Sequence, residues 1–276
     1  MFSQLFSDIA SLWAKYRTVY LNGIANTLIL AVTATLIGCI IGFLCGILQT
    51  IPCSRKDNLF KRIILKTVRI IIRAYVELFR GTPMILQAVF IYYGMPYFFG
   101  ISFSNIWTVS IIVVSVNTGA YMAESVRGGI MSIDPGQFEG AKAIGMNHWQ
   151  TMLYIVLPQT LRNIMPQIGN NYIINVKDTS VMFIIGFSDF FAVHKMVSGA
   201  VFKYFPSAFM EMGGYLFLTL LASFLLRKFE KKLAGKSNYE LVNTDQLVMT
   251  AGTYNFPDGT EPPYEEQSRD YKGEGK

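Results

Sequence analysis

Charge is scarce in this chain. Only 15% of its 276 residues are Asp, Glu, Lys or Arg, while 52% are apolar. A soluble domain carries about a quarter charged residues, so this composition excludes an ordinary solvated surface along most of the length. Histidine is nearly missing: His148 and His194 are the only two. That excludes a His-based metal cluster and a Ser-His-Asp arrangement. Cysteine is sparse as well. Cys39 and Cys45 lie in the first apolar run and Cys53 just beyond it, where they read as small apolar filler and not as a disulfide framework. There is no Gly-x-x-x-x-Gly-Lys-Ser/Thr loop, so the chain does not hydrolyse ATP by that route. The first twenty residues lack the basic, apolar, small-residue order of a cleaved signal, and residues 1–19 read as an external or interfacial lead-in.

Long apolar runs take the place of charge, and mean hydropathy is +0.36. A helix crosses a hydrocarbon core of ~30 Å with ~20 apolar residues. Residues 21–49 are the first such run, with Gly38, Gly42 and Gly46 at four-residue intervals. That spacing makes a flat stripe for a neighbouring helix. Residues 67–98 begin amphipathically, with Arg69, Arg73, Glu77 and Arg80, and are interrupted at Gly81-Thr82-Pro83. This predicts a surface-hugging turn or two, a kink near Pro83, then a span. Runs at 106–126, 163–186 and 207–226 complete an all-α membrane protein of about five transmembrane helices. Residues 188–206 read as a connector, with His194 at its surface, and Tyr92, Tyr93, Tyr97, Phe98 and Phe99 as an interfacial aromatic belt.

Lys and Arg set the orientation. One side holds Lys61, Arg62, Lys66, Arg127, Lys142, Arg162 and the cluster from Arg227, with Arg55 and Lys56; the other holds Lys15, Arg17, Lys195 and Lys203. The rich side is predicted cytoplasmic, which puts the N-terminus outside and the C-terminus inside. Residues 233–276 are polar with few aliphatics and read as a disordered cytoplasmic tail.

The stretch from Glu139 to Ser180 organises the rest. Its first half is amphipathic and interrupted by Gly145, with Trp149, Met152, Leu153 and Val156 at roughly helical spacing. Its second half is apolar yet carries Asn171, Asn175, Lys177, Asp178, Thr179 and Ser180. Charges at membrane depth are costly and face a bundle interior or a water-filled path. Glu77, Arg80, Met84 and Gln87 also recur at steps of three and four, as do Asn117, Tyr121 and Glu124. Glu77, Gln87, Asn117, Asp178 and Thr179 are therefore candidates to line a substrate path. The alternative is that Glu77 with Arg80, and Lys177 with Asp178, satisfy each other structurally. For the first half, docking on a partner and lying flat on the membrane are the two readings.

These residues resemble the inner-membrane permease subunit of an ATP-binding-cassette importer for polar amino acids, of the histidine/glutamine/arginine permease family. That family's loop motif is Glu-Ala-Ala, three residues, Gly, nine residues, Ile-x-Leu-Pro. Here it falls on Glu139, Gly140, Ala141, Gly145, Ile155, Leu157 and Pro158. Gly140 stands where the family has alanine, which loosens the first short helix by up to ~1 kcal/mol. Family-like stretches also run from Asn22 to Thr27, Tyr75 to Pro83, Tyr121 to Ile130 and Lys177 to Ser180. The resemblance covers residues 20–232 and leaves the tail outside.

The resemblance implies a type I ABC importer permease fold, in which the loop at about 127–161 is two short helices that dock on a separate ATPase. It implies no catalytic residue, no metal and no cofactor on this chain, since ATP and magnesium belong to the ATPase. It implies as partners two ABC ATPase subunits, a second copy or paralogue of the permease, an external amino-acid-binding protein, the lipid bilayer and a polar amino acid, in a bacterial inner membrane. An ion-gradient-driven secondary amino acid transporter is the rival reading; it predicts an inverted repeat, and none is visible. A membrane-embedded enzyme predicts clustered His or paired carboxylates at one depth, which are missing from the sequence.

Overall fold

The computed structural model describes residues 2–53 and 58–234. Within them the chain forms helices and no strand. In order they are α1 (Phe2–Thr50), α2 (Leu59–Gly81), α3 (Met84–Phe99), α4 (Ile106–Met131), α5 (Pro135–Ala143), α6 (His148–Ile185), α7 (Phe190–Val201) and α8 (Tyr204–Ala234). The expected tail, from residue 235 on, lies outside the described residues, as do Arg55 and Lys56.

The five expected spans fall on α1, α3, α4, α6 and α8. Helices α1, α4 and α8 are each long and apolar enough to cross a membrane. Helices α6 and α7 meet that test as a pair bent by 53°, and α3 is a shorter apolar helix. Gly186, at φ +89°, makes the bend, and Asp189 caps the helix that follows.

Three elements differ from the sequence reading. First, α1 is continuous from Phe2, so the residues read as a lead-in are helical turns that run without a break into the first span. Leu12, Tyr16 and Tyr20 recur every four residues and pack on Phe190, Val193 and Val197, which fixes those turns. Second, those partners belong to α7, a buried helix where a surface connector was predicted. Phe190, Val193, His194 and Val197 follow the i, i+3, i+4, i+7 pattern of a packed face. Third, α2 is a full amphipathic helix of 23 residues and not a turn or two. Asn58 caps it, accepting from Phe60 N at 3.2 Å. It ends because Thr82 precedes a proline and is forced extended (φ −121°, ψ 145°). Glu77 and Arg80 therefore sit on a different helix from Met84 and Gln87, and the single face predicted for the four does not exist.

Two prolines leave matching marks. Before Pro96 and before Pro158 the helix widens into a π-turn, Phe90–Gly94 and Met152–Val156. In each case the residue preceding proline donates five residues back, Met95 to Phe90 O and Leu157 to Met152 O. The wider turn accommodates a ring that lacks an N–H and clashes with the usual carbonyl.

The core is built on α1 against α4. A Cβ at Gly38 would stand 2.7 Å from Thr118 Cβ, and one at Gly46 2.6 Å from Val126 Cγ1; one at Gly42 would collide with Met122. The glycine stripe is thus the seat of α4. Buried polar groups lock α6 onto the same pair. Asn175 Nδ2 donates to Thr35 Oγ1 at 2.8 Å and lies 2.9 Å from Thr118 Oγ1. Helix α4 is the most enclosed, with 56% of its apolar window buried, against 6% for α8. α8 presents its apolar length outward, as a lipid-facing helix does.

Candidate functional site

The loop between α4 and the long α6 is tightly determined by local chemistry. Asp134 accepts from Gly136 N at 2.7 Å and starts α5, with Pro135 in the first turn. The helix closes with Gly145 N donating to Lys142 O at 3.0 Å and Met146 N to Ala141 O at 3.0 Å. This is the Schellman pattern, and it needs a left-handed residue at Gly145. Gly145 has φ +80°. No neighbour within 4 Å crowds a Cβ there, so the requirement is conformational and not one of space. Asn147 then opens α6 with a capping box. Its Oδ1 accepts from Gln150 N at 2.9 Å, and Gln150 Oε1 accepts from Asn147 N at 2.8 Å.

The two elements expected at the loop are present, but the second is not short. From His148 the chain runs through the π-turn into the polar-loaded span without a break. His148 and Asp178 are thus about 45 Å apart along one helix at 1.5 Å per residue.

The apolar face predicted at Trp149, Met152, Leu153 and Val156 is divided. Met152 and Val156 are buried with Met122, Val126, Ile130, Ile133 and Ile164. Trp149 and Leu153 point outward, 68% and 60% exposed, and Ile144 at the turn is 75% exposed. Glu139 and Gly140 are exposed and Ala141 is buried. Ile155 and Leu157 are half-buried and Pro158 is exposed. The loop is therefore anchored inward on α4 and carries an apolar crest outward.

Beside the loop, a cavity of about 930 Å³ opens between α2, the end of α4 and α5. It brings Glu77 and Glu139 to one space, together with Arg69, Arg73, Arg80, Arg127 and Lys142. Arg80 does not pair with Glu77. It forms an ion pair with Glu124 and lies over the Tyr121 ring at 5.3 Å. Arg127 Nη2 is 3.9 Å from the other oxygen of Glu124. Arg69 donates to the Ile51 carbonyl. His148 closes one end, its pKa lowered first by desolvation and then by the positive charges of Lys61 and Lys142.

The other path candidates are elsewhere. Gln87 Nε2 donates to Phe79 O, Thr82 O and Thr82 Oγ1, each at 2.9 Å. Asn117 Nδ2 donates to Phe79 O at 3.2 Å and Gln87 Oε1 at 3.0 Å. Both amides thereby engage the break at Pro83. Asp178 is half-buried and Lys177 exposed; the lysine's charge acts on the carboxyl, but no salt bridge joins the two among the described residues. Thr179 is buried and bonds Val176 O at 3.1 Å.

One polar cluster was not anticipated. His194, 1% exposed, places Nδ1 2.9 Å from Ser207 Oγ and 3.7 Å from Glu211 Oε2. Tyr20 OH reaches the same Ser207 at 2.8 Å, and Glu211 Oε1 is buried without a hydrogen bond. A carboxylate in the middle of an apolar run was the available signal.

Comparison with known proteins places this geometry. Residues 59–235 match the family described as binding-protein-dependent transport system inner membrane component. The glutamine transport system permease protein GlnP of Escherichia coli K12 is 30% identical over 226 residues, covering 82% of this chain and 97% of that one. A crystal structure of an amino acid ABC transporter with histidines superposes with a TM-score of 0.69 at 30% identity, over 79% of this chain and 96% of its own. The inward-facing MetNI methionine ABC transporter shares the fold, with a TM-score of 0.65 at 18% identity over 79% and 98%. With more than half its length in the family match and the helical order of an importer permease, this chain belongs to the inner membrane components of binding-protein-dependent transport systems.

Proposed function

We propose that the chain is the transmembrane permease subunit of an ATP-driven importer of polar amino acids in a bacterial inner membrane. The N-terminus is outside and the C-terminus cytoplasmic. One copy forms half of a translocation path, completed by a second copy or a related permease. Two ABC ATPase subunits bind and hydrolyse ATP with magnesium, and an external binding protein delivers the substrate. The relatives named for glutamine and other amino acids support this substrate class.

The observation that carries the coupling role is the outward crest of Ile144, Trp149 and Leu153. Large apolar side chains so exposed on a polar loop are what a docking partner buries. Their backbone is fixed by the Gly145 turn, and their helix continues unbroken into the span. A push on the crest is thereby delivered to α6 as a rigid rod, and through Met152 and Val156 to the end of α4.

The test is uptake by vesicles holding this permease, its ATPase and its binding protein, offered labelled glutamine, histidine, arginine and lysine in turn. ATP-dependent accumulation of at least one supports the reading. Accumulation driven by an ion gradient without ATP refutes it.

A further inference from the structure

We infer that the cavity between α2, α4 and α5 holds the phosphate of an anionic phospholipid headgroup. Its lining carries five cations against three carboxylates. One of those carboxylates, Glu124, is already taken by Arg80. Arg127 shares that carboxylate with Arg80, Arg73 and Lys142 stand against Glu77 and Glu139, and the five cations against three carboxylates leave the lining with a net excess of two positive charges. Guanidinium groups bind phosphate oxygens in pairs, and an ammonium adds a mobile charge. The volume, about 930 Å³, is far more than one water or ion requires.

The position favours a lipid over a soluble anion. Helix α2 is amphipathic, with Arg69, Arg73 and Arg80 on the cavity side. Its opposite side exposes Phe60, Ile63, Ile70, Ile71 and Leu78. A helix of this type lies in the membrane interface, with its basic side at headgroup depth. A phospholipid seated with its phosphate in the cavity lays its chains along apolar surface that is already exposed. A free phosphate or nucleotide would leave that surface unused. At the cavity's end the His148 pKa is lowered first by desolvation and then by the charges of Lys61 and Lys142. Because α5 and His148 belong to the loop, the headgroup would brace the loop against α2.

Lipid binding is read directly by native mass spectrometry of the detergent-purified complex, titrated with phosphatidylglycerol and, separately, phosphatidylcholine. The expected result is preferential retention of phosphatidylglycerol on this subunit. Arg73→Gln with Lys142→Gln lowers that retention by about tenfold, since each cation near a membrane surface counts appreciably. Arg73→Lys and Lys228→Gln, the latter outside the cavity's lining, retain it. The unmodified protein supplies an arm that does not depend on the variants folding: millimolar inorganic phosphate should leave phosphatidylglycerol bound. Equal retention of the two lipids, undiminished binding in the double variant, or displacement by inorganic phosphate each overturns the proposal. None of these outcomes depends on whether the vesicles transport amino acids.

Discussion

Asn117 donates to Gln87 across 3.0 Å, and Gln87 turns its own amide onto the backbone that Pro83 breaks. The two side chains supply the donors that a continuous helix would have given to Phe79 and Thr82.

Gln87→Glu keeps the shape but removes the Gln87 donor, leaving Thr82 O without it and Phe79 O with Asn117 alone. A buried polar group left unsatisfied costs about 1–3 kcal/mol, so the variant should melt well below the parent in detergent. Differential scanning fluorimetry checks it. An unchanged midpoint, with transport lost, would return Gln87 to a substrate contact.

Gly42→Ala should separate α1 from α4, because its Cβ meets Met122 at the seat of the pair. Overpacking of this kind costs about 1–3 kcal/mol. Gly128→Ala on α4 is the matched control, with nothing within 4 Å, and should leave stability unchanged or raise it by up to ~1 kcal/mol. Equal midpoints for the two variants would mean that the stripe does not set the helix distance.

His194→Leu should destabilise the α7–α8 contact by about 1–3 kcal/mol, by leaving Ser207 with Tyr20 alone and Glu211 without its neighbour in a buried site. Adding Glu211→Gln, whose amide carries no charge, should recover part of the loss. The two midpoints, compared in a double-mutant cycle, should be non-additive.

The His148 pKa is lowered in the folded loop, so the unfolded chain binds more protons around the ordinary histidine value of about 6.5. Stability associated with this residue is therefore complete above that value and declines as pH falls through it. His148→Gln should flatten the dependence between about pH 5 and about pH 8. Thermal midpoints across that range test it; a slope identical to the parent's would exclude His148 as its source.

Much of this was legible in the sequence. Gly38, Gly42 and Gly46 announced a close helix contact, and the run from Glu139 to Pro158 announced a bent loop, because small residues and caps act locally. What failed was longer in range. Arg80 was matched with Glu77 by spacing, but its partner Glu124 comes from another helix, and no periodicity within one segment reveals that. α7 was read as a connector because Ser188, Asp189, His194 and Lys195 look solvated. Asp189 and His194 are in fact buried, against Tyr20 from the far end of the sequence and Ser207 and Tyr215 from the next helix. The apolar face of the loop was found but not divided, since which half turns inward is decided by packing on α4.

The central claim is that the crest beside Gly145 takes hold of the ATPase. The most direct measurement is capture of the ATPase subunit by the purified permease, comparing the native chain with Trp149→Asp and Ile144→Asp. Both side chains are exposed, so the variants should fold with the parent's melting midpoint. The account predicts that they lose the ATPase and ATP-dependent uptake together. Variants that fold, capture the ATPase and transport like the native chain would contradict it.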